Sequence, residues 1–298
     1  MIGQDVALAP AHVPPVQVGP PRKRTLAKVL ANRRLLVGGG LILALSLIAI
    51  SAPFVAPADP TAQVLTERLQ PPSLSHVMGT DSLGRDVLSR VMWGARATLA
   101  VSLAAMALSM ALGSCVGIMA GYRRDWLDEL LMRLADVFIA FPPFILVITL
   151  VAIFGNSLLL LIIFLSLTAW PSTARIVRSE VLSLSHRDFI LAAHVVGAGP
   201  WRIMLRHILP GVVPVMVVTA TLRVAVVILV EAALSYFGLG VQPPTPTWGN
   251  MVADGRGFID IAPWVSAFPG AFVVVTVLAY SLLGEGLQAV LDPQRSRS

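Results

Sequence analysis

Apolar residues in this chain run in long unbroken stretches, without the alternation of a half-buried strand or the one-sided stripe of a surface helix. A helix needs roughly 20 mainly apolar residues to cross a bilayer. Six segments meet that length: 35–56, 97–121, 134–154, 157–175, 211–237 and 264–288. Only Gly155-Asn156-Ser157 separates the third from the fourth, which predicts a hairpin. Pro142-Pro143 interrupts the third, a break that a bundle tolerates where neighbours satisfy the freed carbonyl groups. The pattern predicts an all-α membrane protein with six transmembrane helices. A first helix at 35–56 stands apart, followed by an extracytoplasmic segment, 57–96. A five-helix core then spans 97–288, with a connecting loop at 176–210, and a short tail covers 289–298.

Charge sets the orientation. Arg22, Lys23, Arg24, Lys28, Arg33 and Arg34 flank the first span, and cytoplasmic flanks are the ones rich in Lys and Arg. With that flank in the cytoplasm, loop 176–210 is cytoplasmic too, and loops 57–96 and 238–263 face outward. Both termini then lie inside. Region 1–34 is Pro-rich at its start and basic at its end, and reads as a disordered cytoplasmic extension with no cleavable signal. Charged residues make up 13% of the chain, about half the share in soluble domains, so a soluble enzyme is excluded. The net charge of +6 lies beside the spans, which points to lipid and away from nucleic acid. Cys115 is the single cysteine, so no intrachain disulfide can form, and its apolar setting predicts a small core residue.

The cytoplasmic segment from Asp188 to Pro210 carries the most local information. Asp188 suits a helix N-cap, and Phe189, Ala192, Ala193 and Val196 recur at helical spacing. Gly197 can take the left-handed conformation that ends a helix. Gly199-Pro200 then starts a second helix, with Trp201, Met204, Leu205 and Ile208 as an apolar stripe, Arg202 and Arg206 on its polar side, and Pro210 to stop it. Small residues on one face allow another surface to approach closely, so the segment is either a cap on its own bundle or a docking element.

This segment resembles the coupling loop of ABC-importer permeases, whose pattern is Glu-Ala-Ala, three residues, Gly, nine residues, Ile, one residue, Leu-Pro. Ala192, Ala193, Gly197, Leu209 and Pro210 match in register, while Leu191 replaces the Glu and His207 the Ile. The peptide-importer branch commonly lacks that Glu and carries a sequence like Arg206-His-Ile-Leu-Pro210. Gly79-Thr80-Asp81-Ser82-Leu83-Gly84-Arg85-Asp86 resembles the signature of one permease in dipeptide, oligopeptide and nickel importers. Residues 231–249 and Gly284–Pro293 are similar to its later segments. The resemblance implies the C-type permease subunit of that family, with a type I importer fold and short peptides as cargo. Nickel, glutathione or another small solute is the alternative. It also implies the partners: a second related permease, two ABC ATPase subunits and an extracytoplasmic substrate-binding protein. The coupling contact would fall on Asp188, Ala192, Ala193, Gly197, Arg206, Leu209 and Pro210.

Other charged residues have less specific readings. Asp81, Arg85, Asp86 and Arg90 would share a short amphipathic helix, as a solvated ion-pair face or as a contact for the binding protein. Arg223 and Glu231 fall inside a span, where ionisable groups usually meet a partner or a water-filled path. Eight residues separate them, about 12 Å along a helix and too far for a direct pair. Intersubunit pairing and the translocation path are the two roles open to them. Asp136 reads as an interfacial charge. No catalytic, metal or cofactor site is expected. The only lysines, Lys23 and Lys28, lie in no phosphate-binding loop, and the five histidines lack metal spacing. ATP and magnesium would belong to partner subunits. A proton-coupled secondary transporter would want midplane acids, and Glu231 is the one candidate.

Overall fold

The computed structural model describes residues 30–291; most of the N-terminal extension and the end of the tail lie outside them. Helix α1 spans Arg33–Val55 and opens at Asn32, whose side-chain oxygen accepts from Leu35 N at 3.2 Å. Helix α2, Val87–Arg123, begins ten residues before the expected span because Asp86 caps it, accepting from Ser89 N at 2.8 Å. Helices α3, Trp126–Ala140, and α4, Pro143–Phe154, follow. Helix α5 covers Leu158–Leu184, α6 Asp188–Val195 and α7 Pro200–Tyr236. The short α8, Trp248–Gly255, follows, and α9, Trp264–Leu291, closes the bundle.

Among the described residues, α1, α2, α5, α7 and α9 are each long and apolar enough to cross a membrane. Helices α3 and α4 supply a sixth crossing only if taken together, because they are bent by 88°. The interruption expected at Pro142-Pro143 in segment 134–154 is thus a sharp bend, and its helix already starts at Trp126, inside the stretch read as a loop. Neither Pro142 nor Pro143 has an N–H, and each ring crowds the carbonyl four residues back. Phe141, preceding them, is extended at φ −96° and ψ 136°, as a residue before proline prefers.

Two further boundaries differ from expectation. Helix α5 runs on to Leu184, so Arg178 and Glu180 sit on helix instead of in a loop. Pro210 does not stop α7. A π turn over Met204–Ile208 precedes it, with Leu209 N bonded to Met204 O five residues back. That wider turn shifts the carbonyl that the Pro210 ring would otherwise meet.

Packing follows small residues. Gly113, Gly117 and Gly121 recur every fourth position on α2 and lie against Thr173, Ala174, Val177 and Val181 of α5. A Cβ at Gly117 would sit 2.6 Å from the Ala174 carbonyl oxygen, so only glycine permits this approach. The main core gathers Leu99, Met106, Val147, Leu161, Phe164, Ile228, Leu234 and Trp248. Helix α1 packs on the outside of α9, where Gly38 meets the Leu283 backbone. Cys115 is exposed, contrary to its expected core position, with its Sγ 3.8 Å from Met119 Sδ.

Candidate functional site

The segment from Asp188 to Pro210 is built as two helices joined by a tight turn. Arg187 occupies the N-cap of α6 with extended backbone, and Asp188, expected as the cap, is its first helical residue. A carboxylate there still faces the positive end of the helix dipole. Gly197 adopts φ +80°, with its N–H donating to His194 O at 3.0 Å and Ala198 N to Ala193 O at 3.0 Å. Gly199 caps α7 and Pro200 takes its first position. No atom lies within 4 Å of a Cβ placed on Gly197, so the glycine is required by backbone angle alone.

Buried aliphatic side chains root this segment in the bundle. Ile190 of α6 and Ile203 and Ile208 of α7 join Val177, Val181, Leu184 and Val212 in one cluster. Tyr122 at the end of α2 stacks on His194, with centroids 6.2 Å apart and planes inclined by 11°. Arg178 grips Asp128 through two bonds of 2.6 and 2.7 Å, tying α5 to α3, and Arg175 pairs with Asp136 one layer deeper. The helix ends beneath the segment are thus fixed to one another.

The opposite face has no cover. Phe189, Leu191, Val195, Val196, Trp201 and Leu205 are all exposed, Val195 and Val196 at 88% and 86%. The expected stripe of Trp201, Met204, Leu205 and Ile208 therefore divides: Met204 and Ile208 point inward, Trp201 and Leu205 outward. Ala192 is exposed, Ala193 half-buried against the aliphatic cluster, and Arg206 exposed at the π turn. Leu209 is partly buried and Pro210 exposed. A cleft of about 610 Å³ opens beside this face, lined by Arg123, Arg124, His194 and Trp201 among others.

At the other end of the bundle the structure corrects the reading of Asp81, Arg85, Asp86 and Arg90. They do not share a short amphipathic helix. Gly79 and Gly84, at φ +73° and +72°, fold Thr80–Asp86 into a tight turn that leads into α2. Asp81 Oδ2 accepts from Arg85 Nε at 2.7 Å and from Arg90 Nη1 at 2.9 Å, and both arginines reach Asp254 of α8 at 3.3 Å. Asp81, Asp86 and Arg90 are buried, so the solvated ion-pair face is absent. Burial pushes the Asp254 carboxyl up, and the Arg85 charge draws it back down. Trp248, wholly buried, donates from Nε1 to Val91 O at 3.0 Å. Together these bonds clasp α8 onto the start of α2. The histidine His76 adds a bond of 3.0 Å to Asp86 Oδ1.

Inside the bundle the two ionisable groups have separate settings. Glu231 is fully buried; its Oε1 accepts from Ser235 Oγ at 2.8 Å, while Oε2 has no partner among the described residues. Arg223 lines a different cleft, of about 440 Å³, beside Arg175 and Phe141. The glycine ladder at Gly113, Gly117 and Gly121 was missed as a packing signal, although its spacing of four is plain in the sequence.

A polytopic helical bundle, with a polar clasp at one end and an uncovered apolar segment at the other, defines a membrane-embedded subunit made to work against other chains. Residues 113–297 match the family described as binding-protein-dependent transport system inner membrane component. Residues 21–72 match the N-terminal TM domain of oligopeptide transport permease C. The chain belongs to the first of these families, the inner-membrane permease subunits of ABC importers. It is 39% identical over 274 residues to a dipeptide transport system permease protein of Alkalihalophilus pseudofirmus, covering 92% of this chain and 90% of that one. A glutathione transport system permease protein of Pectobacterium atrosepticum is 40% identical over 260 residues, 87% of this chain and 86% of its own. A di/tripeptide transport system permease protein of Pseudomonas aeruginosa is 38% identical over 294 residues, 96% of each.

Proposed function

We propose that this chain forms half of the translocation path for short peptides in an ATP-driven importer, and that Asp188–Pro210 transmits the motion of an ATPase subunit to the bundle. The observation that carries the coupling role is the uncovered apolar face of α6 and the first turns of α7, set on a buried aliphatic root. Exposed apolar patches of this kind mark interaction surfaces. A rooted segment moves as one body with α5 and α7, so a displacement applied at α6 reaches both spans. ATP and magnesium belong on the two ATPase partners.

The remaining parts follow the family architecture. A related second permease closes the path, and an extracytoplasmic binding protein delivers cargo at the end bearing the Asp81–Asp254 clasp. The basic flank and the coupling segment lie in the cytoplasm, with both termini inside. Peptide cargo is supported by the dipeptide and di/tripeptide relatives. Glutathione is the second reading, supported by a relative of similar identity, and it is itself a small peptide-like solute with free carboxylates. Family membership leaves the proton-coupled reading without support.

A charge on the uncovered face tests the coupling role. Val195→Glu touches nothing in its own fold, so the complex is expected to insert at wild-type abundance. Peptide uptake per inserted complex is expected to fall at least tenfold, about 1.4 kcal/mol in effective coupling, with stimulation of ATPase by loaded binding protein lost. Normal uptake per complex would assign the segment to capping its own bundle.

A further inference from the structure

The mid-span cleft beside Arg223 is walled by α5 and α7 and opens where Pro142-Pro143 breaks the third span. Its polar side chains are few. Thr168 and Ser172 each donate their hydroxyl proton to their own helix, to Leu165 O at 2.9 Å and Ala169 O at 3.2 Å. Arg175 is paired with Asp136. Arg223 alone has neither an ion pair nor a hydrogen bond among the described residues. The cleft therefore carries one uncompensated positive charge on otherwise apolar walls that include Phe138 and Phe141.

Arg223 lies midway along the membrane-crossing part of α7, about 20 Å from either end of Leu209–Tyr236 at 1.5 Å per residue. A guanidinium at that depth is too costly to face hydrocarbon. This side of the bundle must therefore be wet or meet another chain, and its cleft of about 440 Å³ has room for a passing solute. We propose that Arg223 is the station in the membrane that receives the carboxylate terminus of the passing peptide. The inference rests on the peptide-importer reading. One guanidinium, whose paired N–H donors fit a carboxylate and which has no second uncompensated cation beside it among the described residues, selects a single anionic group and releases it readily. The apolar walls around it tolerate varied side chains.

The test compares alanyl-alanine with its C-terminal amide in the reconstituted importer, complete with ATPases and binding protein. The binding protein's own preference is the same for every permease variant and cancels when ratios are compared. Arg223→Gln is expected to reduce the acid-to-amide uptake ratio by about tenfold or more, the usual weight of a hydrogen bond to a charged group, with the amide rate unchanged. Arg223→Lys, which keeps the charge, is expected to retain the preference. An equal fall for both peptides, loss of the preference in Arg223→Lys, or failure of Arg223→Gln to assemble would overturn the proposal. The last result would instead assign Arg223 to a carboxylate of the second permease. Absence of uptake of either peptide by the wild-type complex would overturn the cargo reading, and this proposal with it.

Discussion

Glu231 and Arg223 lie about two helical turns apart on α7, yet their surroundings are opposite. Arg223 faces a cleft that water or cargo can enter, whereas Glu231 is sealed in the core with one oxygen bonded to Ser235. A buried carboxylate with no cation beside it is held against a large desolvation cost. An amide of the same shape keeps the Ser235 bond without the charge. Glu231→Gln is therefore expected to assemble as well as the wild type, with equal or higher thermal stability in detergent; a lower melting temperature would mean that a cation from another subunit reaches Glu231. Both residues stand out in the sequence as charges within an apolar run. Their different fates do not, because seven intervening residues say nothing of which neighbours face each position.

At the scale of elements, the glycine ladder of α2 and the breaks at proline decide how the helices meet. Gly117 brings the α2 backbone against α5, and Gly40, on α1, has nothing within 4 Å of its Cβ position. Gly117→Val is expected to destabilise the bundle by about 1–3 kcal/mol through overpacking, read as reduced yield and a lower unfolding midpoint. Gly40→Val serves as the control and should leave both nearly unchanged. Equal effects of the two would show that helix propensity, and not the α2–α5 approach, sets the loss. Apolar runs reveal where helices are, but proline can break or merely inflect one. Pro142-Pro143 produced an 88° bend, whereas Pro210 was absorbed by a π turn and Pro214 and Pro171 lie within helices. The difference comes from neighbouring backbone that the local sequence does not display.

For the whole molecule, the segments legible as motifs are the ones whose chemistry is local. The turn at Gly197 and the start at Gly199-Pro200 formed as their residue types dictate, and the aliphatic root explains why the surrounding apolar residues divide into two faces. The clasp at the Asp81–Asp254 end was not legible as a clasp. Asp81 and Arg90 read as a solvated pair until Asp254, more than 160 positions away, closes over them. That clasp, the broken third span and the uncovered α6 face together describe a bundle held at one end and open to a driver at the other. The central claim is that the driver is an ATPase subunit seated on α6. A photo-crosslinking side chain replacing Val195 in native membranes measures this directly, with the same group replacing Ile163 as a control on exposed α5 surface. The account predicts an adduct between position 195 and an ATPase subunit whose yield changes when ATP is supplied, and none from position 163. No adduct from position 195, or equal yields at the two positions, would contradict it.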